Sequence, residues 1–359
     1  MSTPFLETIK LHAQQNLRPL VTKIDQEGLY PKDYLMELGK LGGFSALSDQ
    51  KDENSGLANQ IAVIQAVGRE CGATAFSVWC QSACAWYLYN TSRPSVREKY
   101  LQKVLEGKVL AGTGMSNTIK HLSKIEKHLL QAEKVAGGYR VNGILPWVSN
   151  IGEDHLWAAT AQVSEDQFVM FIVSGNQKGV TLNPCPQFSA LEGTNTFAVR
   201  FNDLFVPESD LLADIEEFDD YIATIKPGFI LLQIGIGAGI IEGCIQIMQE
   251  SNTLTAHVNQ YLDLTLPVAT EKLSSLKQET SQLAQQIEEG RATLLPILKT
   301  RLDAAETTLA VAQSAALHAG AKGYLMRHSA QRRNREAIFV AIVTPAIKHL
   351  RQDIARLSA

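Results

Sequence analysis

The repeat period of the hydrophobic pattern changes twice along this chain, and that order limits the folds that the chain can adopt. Over residues 4–108 the apolar residues recur at the spacing of amphipathic helices. Over residues 109–214 the pattern changes to short β-rich runs separated by Gly, Asn and Pro, and helical spacing returns after Phe218. Helices, then strands, then helices predict a β domain held between two helical domains.

A length of 359 residues agrees with several packed units, because it exceeds a single typical core. We therefore predict a mainly α protein with a central β domain. Residues 1–108 form an N-terminal helical domain, residues 109–214 a β-barrel-like middle domain, and residues 215–359 a C-terminal four-helix bundle.

Charge and cysteine content exclude several classes of protein. With 33 basic and 37 acidic residues the net charge is -4, and no basic stretch is dense enough to neutralise a phosphate backbone, so we expect no nucleic-acid partner. The five cysteines form no CxxC pair, and the first residues lack the apolar core of a signal peptide. These features predict a cytoplasmic protein.

One stretch is as apolar as a membrane span. It runs from Gly228 to Met248 and is interrupted by polar residues, Glu242 among them. Within it, Gly235 and Gly239 belong to a row of small residues, continued by a third glycine four positions later, that lets helices approach closely. We predict a helix buried between other helices and no membrane span.

The same glycines resemble a dinucleotide-binding fingerprint, but no βαβ unit or ribose-binding carboxylate follows, which favours helix packing. The histidines give no metal site either. His121 and His128 are seven residues apart, and no HxxxH pattern of ligand quality occurs. No serine lies in a nucleophile elbow, so hydrolase chemistry has no support in the sequence.

Six segments in a fixed order resemble the acyl-CoA dehydrogenase family. They are YPKDYLMELGKLGGFS, VGRECGATAFSVWC, LAGTGMSN, GGYRVNGILPWVSNIGEDHLWAA, FAVRFNDLFVPESDLL and HAGAKGYLMRHSAQRRNREA, between Tyr30 and Ala337. The fourth segment is the most specific, since it is similar to the family's Gly-x-Lys-x-Trp-Ile-Thr-Asn strand. The resemblance implies the three-domain fold predicted above and an FAD cofactor.

The resemblance also implies flavin contacts in the β domain. Trp147 and Ser149 correspond to the family's Trp and Thr, which lie against the isoalloxazine ring and hydrogen-bond its reactive edge. Ser116 corresponds to the flavin-contacting Thr of the Thr-Glu-Pro turn, with Thr113 as an alternative for that role. Ser123 corresponds to a later serine on the phosphate side.

Two glycines correspond to a loop that, in the family, touches the FAD of a neighbouring subunit. Gly320 and Gly323 match this loop, together with Tyr324, although an ordinary helix C-cap explains the glycines equally well. The resemblance therefore implies a homodimer or a homotetramer associated through the helical bundle.

The chain departs from the family at the catalytic base. Counting back from Arg351 places Thr344 where the family most often has a glutamate, and a neutral hydroxyl cannot take an α-proton. The family's second base position falls beside Lys226, again without a carboxylate. If the chain does have a base, Glu242 is our first candidate, although an acid paired within the helices explains Glu242 better.

The family's Arg-x-x-Phe-Gly, which holds a neighbour's FAD pyrophosphate, is missing as well. The corresponding stretch is NTLTAHVNQYLDLTL, which contains no arginine, so we expect FAD to be weakly bound. Lys322 is an alternative source of that contact, but a solvated loop lysine explains it better.

Three functions remain open from the sequence. The first is an FAD-dependent oxidoreductase of the acyl-CoA dehydrogenase family that acts on CH-CH bonds of a small molecule, such as an acyl-CoA, without the usual glutamate. The second is a flavin-dependent monooxygenase on the same fold, in which the reduced flavin activates oxygen. The third is a non-catalytic protein that binds a ligand or serves as a scaffold.

Overall fold

A computed structural model describes residues 3–48 and 54–359, and it has the predicted order of helices, strands and helices. The helices before the sheet are α1 (Pro4–His12), α2 (Val21–Gln26), α3 (Lys32–Lys40), α4 (Leu57–Glu70), α5 (Gly72–Asn90) and α6 (Pro94–Leu105). The helices after it are α8 (Phe218–Leu232), α9 (Ile234–Asn259), α10 (Leu266–Glu288), α11 (Leu294–Ala319), α12 (Ser329–Ile342) and α13 (Ile347–Ser358). One short helix that the sequence pattern did not predict, α7 (Ser116–Leu122), interrupts the strands.

The middle of the chain forms one mixed sheet. Its strands are β1 (Ala111–Thr113), β2 (Leu130–Val135), β3 (Gly138–Val148), β4 (Leu156–Ser164), β5 (Gln167–Ser174), β6 (Val180–Pro184), β7 (Phe197–Pro207) and β8 (Leu211–Ala213). The strand order is β6-β7-β3-β2-β4-β5-β8, and β1 lies beside β4. Strands β1 and β2 run parallel to β4, whereas the other pairs are antiparallel.

Strands β4 and β5 are buried on both faces, which explains their continuous apolar runs. In β4, Leu156 and Ala158 pack into the core that the helices share, whereas Trp157 and Ala159 face a second core inside the β region. Residues of β5 alternate in the same way between the two cores. The sheet is thereby fixed against the helices on one side and around its own core on the other.

The small residues of α9 do allow close helix contact, as predicted. A Cβ on Gly235 would lie 2.7 Å from the carbonyl oxygen of Ile61, and a Cβ on Gly239 would lie 2.6 Å from Cα of Gly68. Both partners belong to α4, so the glycines join the C-terminal helices to the N-terminal ones. They lie within a helix and form no nucleotide-binding turn.

The apolar segment Phe218–Asn259, which comprises α8 and α9, is long and apolar enough to cross a membrane, with a mean hydropathy of 1.8 in its most apolar window. In the fold, 94% of that window is buried inside the protein. The predicted burial among other helices is therefore confirmed, and the segment is a core helix pair of this fold.

A buried glutamine connects the helical core to the start of the sheet. The Gln81 amide on α5 donates to the carbonyl oxygens of Val104 (2.8 Å) and Val109 (3.0 Å), and its oxygen accepts from the amide of Ala111 (2.6 Å). Because Gln81 is fully buried, breaking these bonds would leave polar groups without water. The bonds hold β1, and with it the loop to α7, against α5.

Candidate functional site

Two adjoining cavities meet at the end of β3, where Trp147 and Ser149 line both of them. The first, here the Ser116 cavity, has a volume of about 210 Å³ and lies between α5, α7, β3, α8 and the end of α12. The second, here the Thr196 cavity, has a volume of about 280 Å³ and lies between β3, the turn before β7 and α12. We refer to the two together as the cleft.

The backbone after β3 is anchored so that Trp147 and Ser149 face the cleft. Ser149 forms a β-bridge with Thr113, and the next residue, Asn150, has a left-handed backbone (φ 59°). The buried Asn150 side chain donates to the carbonyl oxygen of Ala111 (2.8 Å) and accepts from the hydroxyl of Tyr30 (2.6 Å). An asparagine tolerates this conformation better than most residues do.

The Trp147 ring is 61% exposed, although it belongs to a residue type that proteins usually cover. Its contact with Phe188 is edge-on, with ring centroids 6.3 Å apart. A ring face is thereby left open toward the cleft, which suits a planar ligand.

The structure brings Ser116 and Thr344 into direct contact, although they are 228 residues apart in sequence. Their hydroxyl oxygens are 2.7 Å apart at the Ser116 cavity. The carbonyl oxygen of Thr344 accepts from the side-chain amide of Gln233 (2.8 Å). Thr113, the alternative to Ser116, also lines this cavity, but its hydroxyl is hydrogen-bonded to that of Tyr87 (3.0 Å).

Sequence reasoning missed a row of hydroxyl groups behind Ser149. The hydroxyl oxygens of Ser149 and Thr196 are 2.7 Å apart, and those of Thr196 and Thr194 are 2.8 Å apart. Thr194 in turn donates to the carbonyl oxygen of Leu191 (2.7 Å). The only hint in the sequence is the Thr-Asn-Thr that precedes β7, whose two hydroxyls are two residues apart.

The charged groups that line the cleft are paired. In the Ser116 cavity, the Glu126 carboxylate accepts from Lys120 (3.2 Å) and from the side chain of Asn117 (2.8 Å). In the Thr196 cavity, Arg335 forms a two-pronged ion pair with Asp25 (2.6 and 2.7 Å). Since each charge is compensated, the open surface of the cleft is mainly aromatic and aliphatic, with hydroxyl groups.

A cysteine at the Ser116 cavity is not a nucleophile. Burial raises the pKa of Cys80 well above its usual value, so the thiol stays protonated at neutral pH. Burial also lowers the pKa of Lys226, beside which the resemblance implies the family's second base position, but Lys226 does not line the cleft.

Glu242, our sequence candidate for a base, lies elsewhere. It lines a separate cavity of about 530 Å³ between α1, α4, α9 and α10. Its carboxylate accepts from the side chain of Gln65 (2.5 Å) and lies 3.7 Å from Arg69. Glu242 is thus an acid paired within the helices and is not available to the cleft.

The other sequence-predicted contacts lie outside the cleft. Ser123 is buried at the end of α7, where it donates to the Asp353 carboxylate (3.0 Å). Gly320, with φ 61°, ends α11, and a Cβ on Gly323 would lie 2.8 Å from the carbonyl oxygen of Ala316. Both glycines therefore serve the local turn, and their contact with a neighbour's FAD stays a prediction.

Comparison with known proteins agrees with the fold and matches the N-terminal part of the chain to a family model. Residues 3–108 match the family model described as the acyl-CoA dehydrogenase N-terminal domain. The chain is 25% identical over 351 residues to the mitochondrial isovaleryl-CoA dehydrogenase of Arabidopsis thaliana, which covers 93% of this chain and 85% of that protein.

Two solved structures share the fold. Butyryl-CoA dehydrogenase from Megasphaera elsdenii superposes with a TM-score of 0.90 at 17% identity, covering 100% of this chain and 99% of the other. The prolyl acyl carrier protein oxidase AnaB superposes with a TM-score of 0.84 at 18% identity, covering 99% and 98%. Residues 3–108 thus match the acyl-CoA dehydrogenase N-terminal domain, and the whole chain has the fold of these structures and resembles the acyl-CoA dehydrogenases in sequence.

Proposed function

We propose that this protein is an FAD-dependent oxidoreductase that acts on a CH-CH bond of a small substrate and lacks the usual catalytic glutamate. One observation carries the proposal: three residues selected from the sequence as flavin contacts, Ser116, Trp147 and Ser149, line one cleft. They come from two separate segments of the chain, and chance would not gather them at the point where two cavities meet.

The residues of the cleft fit a flavin ring. The two cavities together fall in the usual range for ligand pockets, about 300–1,000 Å³. The open face of Trp147 offers a planar apolar surface, while Ser149 and Ser116 offer hydroxyls for the polar edge of the ring. FAD, when bound, supplies a hydride acceptor at its N5 nitrogen.

The remaining wall suits a small apolar group of the substrate. Phe76, Trp79 and Phe229 form a contiguous aromatic surface, with ring centroids 5.4 and 5.2 Å apart, and all three line the Ser116 cavity. Such a wall would exclude water from the reacting bond and orient the substrate. An acyl-CoA thioester is one substrate class consistent with the family, whereas neither a nucleic acid nor a membrane is expected as a partner.

The resemblance implies a threonine, Thr344, at the position where the family has its general base, and the Thr344 hydroxyl is hydrogen-bonded to that of Ser116. The Glu126 carboxylate, at the same cavity, is held by Lys120 and Asn117. A general base contributes typically about 10²–10⁴-fold to the rate. We therefore expect little or no dehydrogenation of straight-chain acyl-CoA thioesters.

A threonine in place of the glutamate at position 344 supports a second candidate, a flavin-dependent monooxygenase on the same fold. Oxygen activation by a reduced flavin does not need a carboxylate at position 344. The same fold occurs in the prolyl acyl carrier protein oxidase AnaB, so the fold itself is not limited to dehydrogenases. The third possibility, a non-catalytic ligand-binding or scaffold protein, has less support, because the residues that the resemblance implies beside a flavin ring line one cleft.

We also propose a homodimer or homotetramer formed through the C-terminal helices, and a cytoplasmic location. Large apolar side chains are exposed at the ends of α9 and α11, for example Leu254 (81%), Tyr261 (82%) and Tyr324 (83%). The turn that contains Gly320 and Gly323 lies in the same part of the chain. A monomer in light scattering at micromolar concentration would contradict this association.

The flavin proposal is tested by the absorption of the purified protein, before and after incubation with FAD or FMN. We expect the near-UV and blue bands of oxidised flavin, at least after reconstitution with FAD. A protein that stays colourless with both cofactors leaves only the scaffold. Anaerobic mixing with butyryl-CoA then distinguishes the two candidate activities, because rapid bleaching of the flavin supports a dehydrogenase. Consumption of oxygen only by the pre-reduced protein supports the second candidate.

A further inference from the structure

The hydroxyl row behind Ser149 has only one arrangement of protons that satisfies all of its hydrogen bonds. Each hydroxyl has one proton to donate. Thr194 uses its proton on the carbonyl oxygen of Leu191, so the contact between Thr194 and Thr196 needs the proton of Thr196. The contact between Thr196 and Ser149 then needs the proton of Ser149.

Ser149 is therefore left with lone pairs, and no proton, on the side that faces the cleft. The arrangement is held in place by the backbone around it. The amide of Asn150 donates to the Thr194 carbonyl oxygen (2.8 Å), and the Asn195 side chain donates to the carbonyl oxygen of Ile151 (3.0 Å). Thr194 is only 2% exposed, so water does not compete for its hydroxyl.

We propose, on the basis of the proposed flavin function, that Thr196 and Thr194 are positioning residues that make Ser149 a hydrogen-bond acceptor toward the ligand. A hydrogen-bond acceptor at this position favours the binding of reduced flavin over oxidised flavin. The resemblance implies that Ser149 would meet the reactive edge of the flavin ring. There it would accept the hydrogen that reduced flavin carries on N5, whereas its lone pair would oppose the lone pair of N5 in oxidised flavin. The row would thereby raise the flavin midpoint potential.

Two substitutions release the Ser149 proton by different routes. Thr196→Val removes the acceptor that holds it. Thr194→Val acts from one residue further away: the proton of Thr196 is then free to turn toward Ser149, which frees the Ser149 proton for the cleft. Valine has the shape of threonine, so neither change opens a space in the packing. The Thr194 hydroxyl bonds to Leu191 and Thr196, so its effect on Ser149 passes through Thr196.

The readout is the midpoint potential of the bound FAD, measured by equilibration with redox dyes. We expect each variant to bind oxidised flavin about tenfold better relative to reduced flavin, which for a two-electron couple lowers the midpoint by about 30 mV. Thr308→Val is the matched control, because Thr308 is also a buried threonine that donates to a backbone carbonyl (2.6 Å), but on α11 outside the cleft. Its midpoint should equal that of the unmodified protein.

A double variant tests whether the effect passes through Ser149. In a Ser149→Ala background there is no hydroxyl to reverse, so adding Thr196→Val should leave the midpoint unchanged. The same loss of effect is expected with 5-deaza-FAD as the probe: its position 5 is a carbon, so Thr196→Val should not change the affinity for its oxidised form. An equal fall in midpoint in the Ser149→Ala background would overturn the inference.

The two proposals fail in different ways. A protein that binds neither FAD nor FMN disproves the flavin function and the inference with it. Normal flavin binding, with the same midpoint in Thr194→Val, Thr196→Val and the unmodified protein, disproves the inference alone. If one of the two variants fails to fold, the other still decides, because both release the same proton.

Discussion

Replacing Trp147 with alanine should remove most of the flavin affinity and leave the folded protein intact. The ring is 61% exposed in the structure, so little folding energy depends on it. Its aromatic contact is the edge-on approach to Phe188. A well-formed aromatic pair contributes about 1 kcal/mol, and this pair contributes less because its ring centroids are 6.3 Å apart. We expect the free energy of unfolding without cofactor to change by less than about 1 kcal/mol.

The loss in binding can be worked out from the open ring face. A tryptophan can bury about 200 Å² in total, so covering one exposed face removes roughly 60 Å² from water, which is worth about 1.5 kcal/mol. Stacking of a second ring system adds about 1 kcal/mol. The sum, about 2.5 kcal/mol, corresponds to a decrease in affinity of about 60-fold.

The assay is a titration of cofactor-free protein with FAD, followed by the change in flavin absorption or fluorescence. Trp147→Phe keeps an aromatic face and should lose less affinity than the alanine variant. Ile144→Ala, on the same strand but outside the cleft, is the matched control and should bind like the unmodified protein. Unchanged FAD affinity in Trp147→Ala would show that the ring has been placed wrongly.

Three further outcomes are expected. Thr344→Glu puts a carboxylate beside Ser116 and should speed anaerobic bleaching of the flavin by butyryl-CoA by about 10²-fold or more. An unchanged rate in stopped flow would exclude a missing base as the cause of low activity. Ser123→Ala leaves the buried Asp353 without one donor, so it should lower the free energy of unfolding by about 1–3 kcal/mol without changing FAD affinity. A loss of FAD affinity with unchanged stability would instead support a cofactor contact by Ser123. Burial lowers the pKa of His128 to about 4, so below about pH 6.5 the unfolded chain binds a proton that the folded protein does not. Between pH 7 and pH 5 this group should lower the free energy of unfolding by about 2 kcal/mol. Urea denaturation of His128→Gln should show that this loss is absent.

The order of the elements could be predicted from the sequence because two simple periods encode it. The apolar runs of β4 and β5 and the helical spacing around them needed no knowledge of distant contacts. The short helix α7 was missed for the opposite reason. Its seven residues are too few for a helical period to show, and the helix owes its place to tertiary contacts at both ends.

The same helix explains why Ser116 and Ser123 have different surroundings. The resemblance implies Ser116 beside the flavin ring and Ser123 on the phosphate side, and the role of Ser123 stays a prediction. Helix α7 begins at Ser116 beside Thr344 and places Ser123, just after its last residue, against Asp353 on α13. A residue count preserves spacing along the chain, but a helix compresses it to about 1.5 Å per residue and rotates the side chains.

The hydroxyl row behind Ser149 could not be predicted, since it joins positions 47 residues apart. No periodic pattern identifies two threonines in a turn as the partners of a serine after another strand. The pairing follows from the antiparallel contact of β3 with β7, which brings Val148 opposite Phe197. Only the fold therefore shows which way the Ser149 proton points.

The loop that carries Thr344 is built independently of its side chain, which makes the glutamate substitution a fair test of the chemistry. The carbonyl oxygen of Thr344 accepts from Gln233 (2.8 Å), and Gln233 accepts from the fully buried Arg301 (2.9 Å). Arg301 also donates to the carbonyl oxygen of Val340 (2.8 Å), one turn before the loop, and its pKa of about 10, lowered by burial, keeps it charged at neutral pH. Because the bonds at positions 340 and 344 go to backbone carbonyl oxygens, they do not depend on the side chain of residue 344. What changes is the neutral hydroxyl pair with Ser116, so a gain of activity in Thr344→Glu can be assigned to the carboxylate and not to a rebuilt loop.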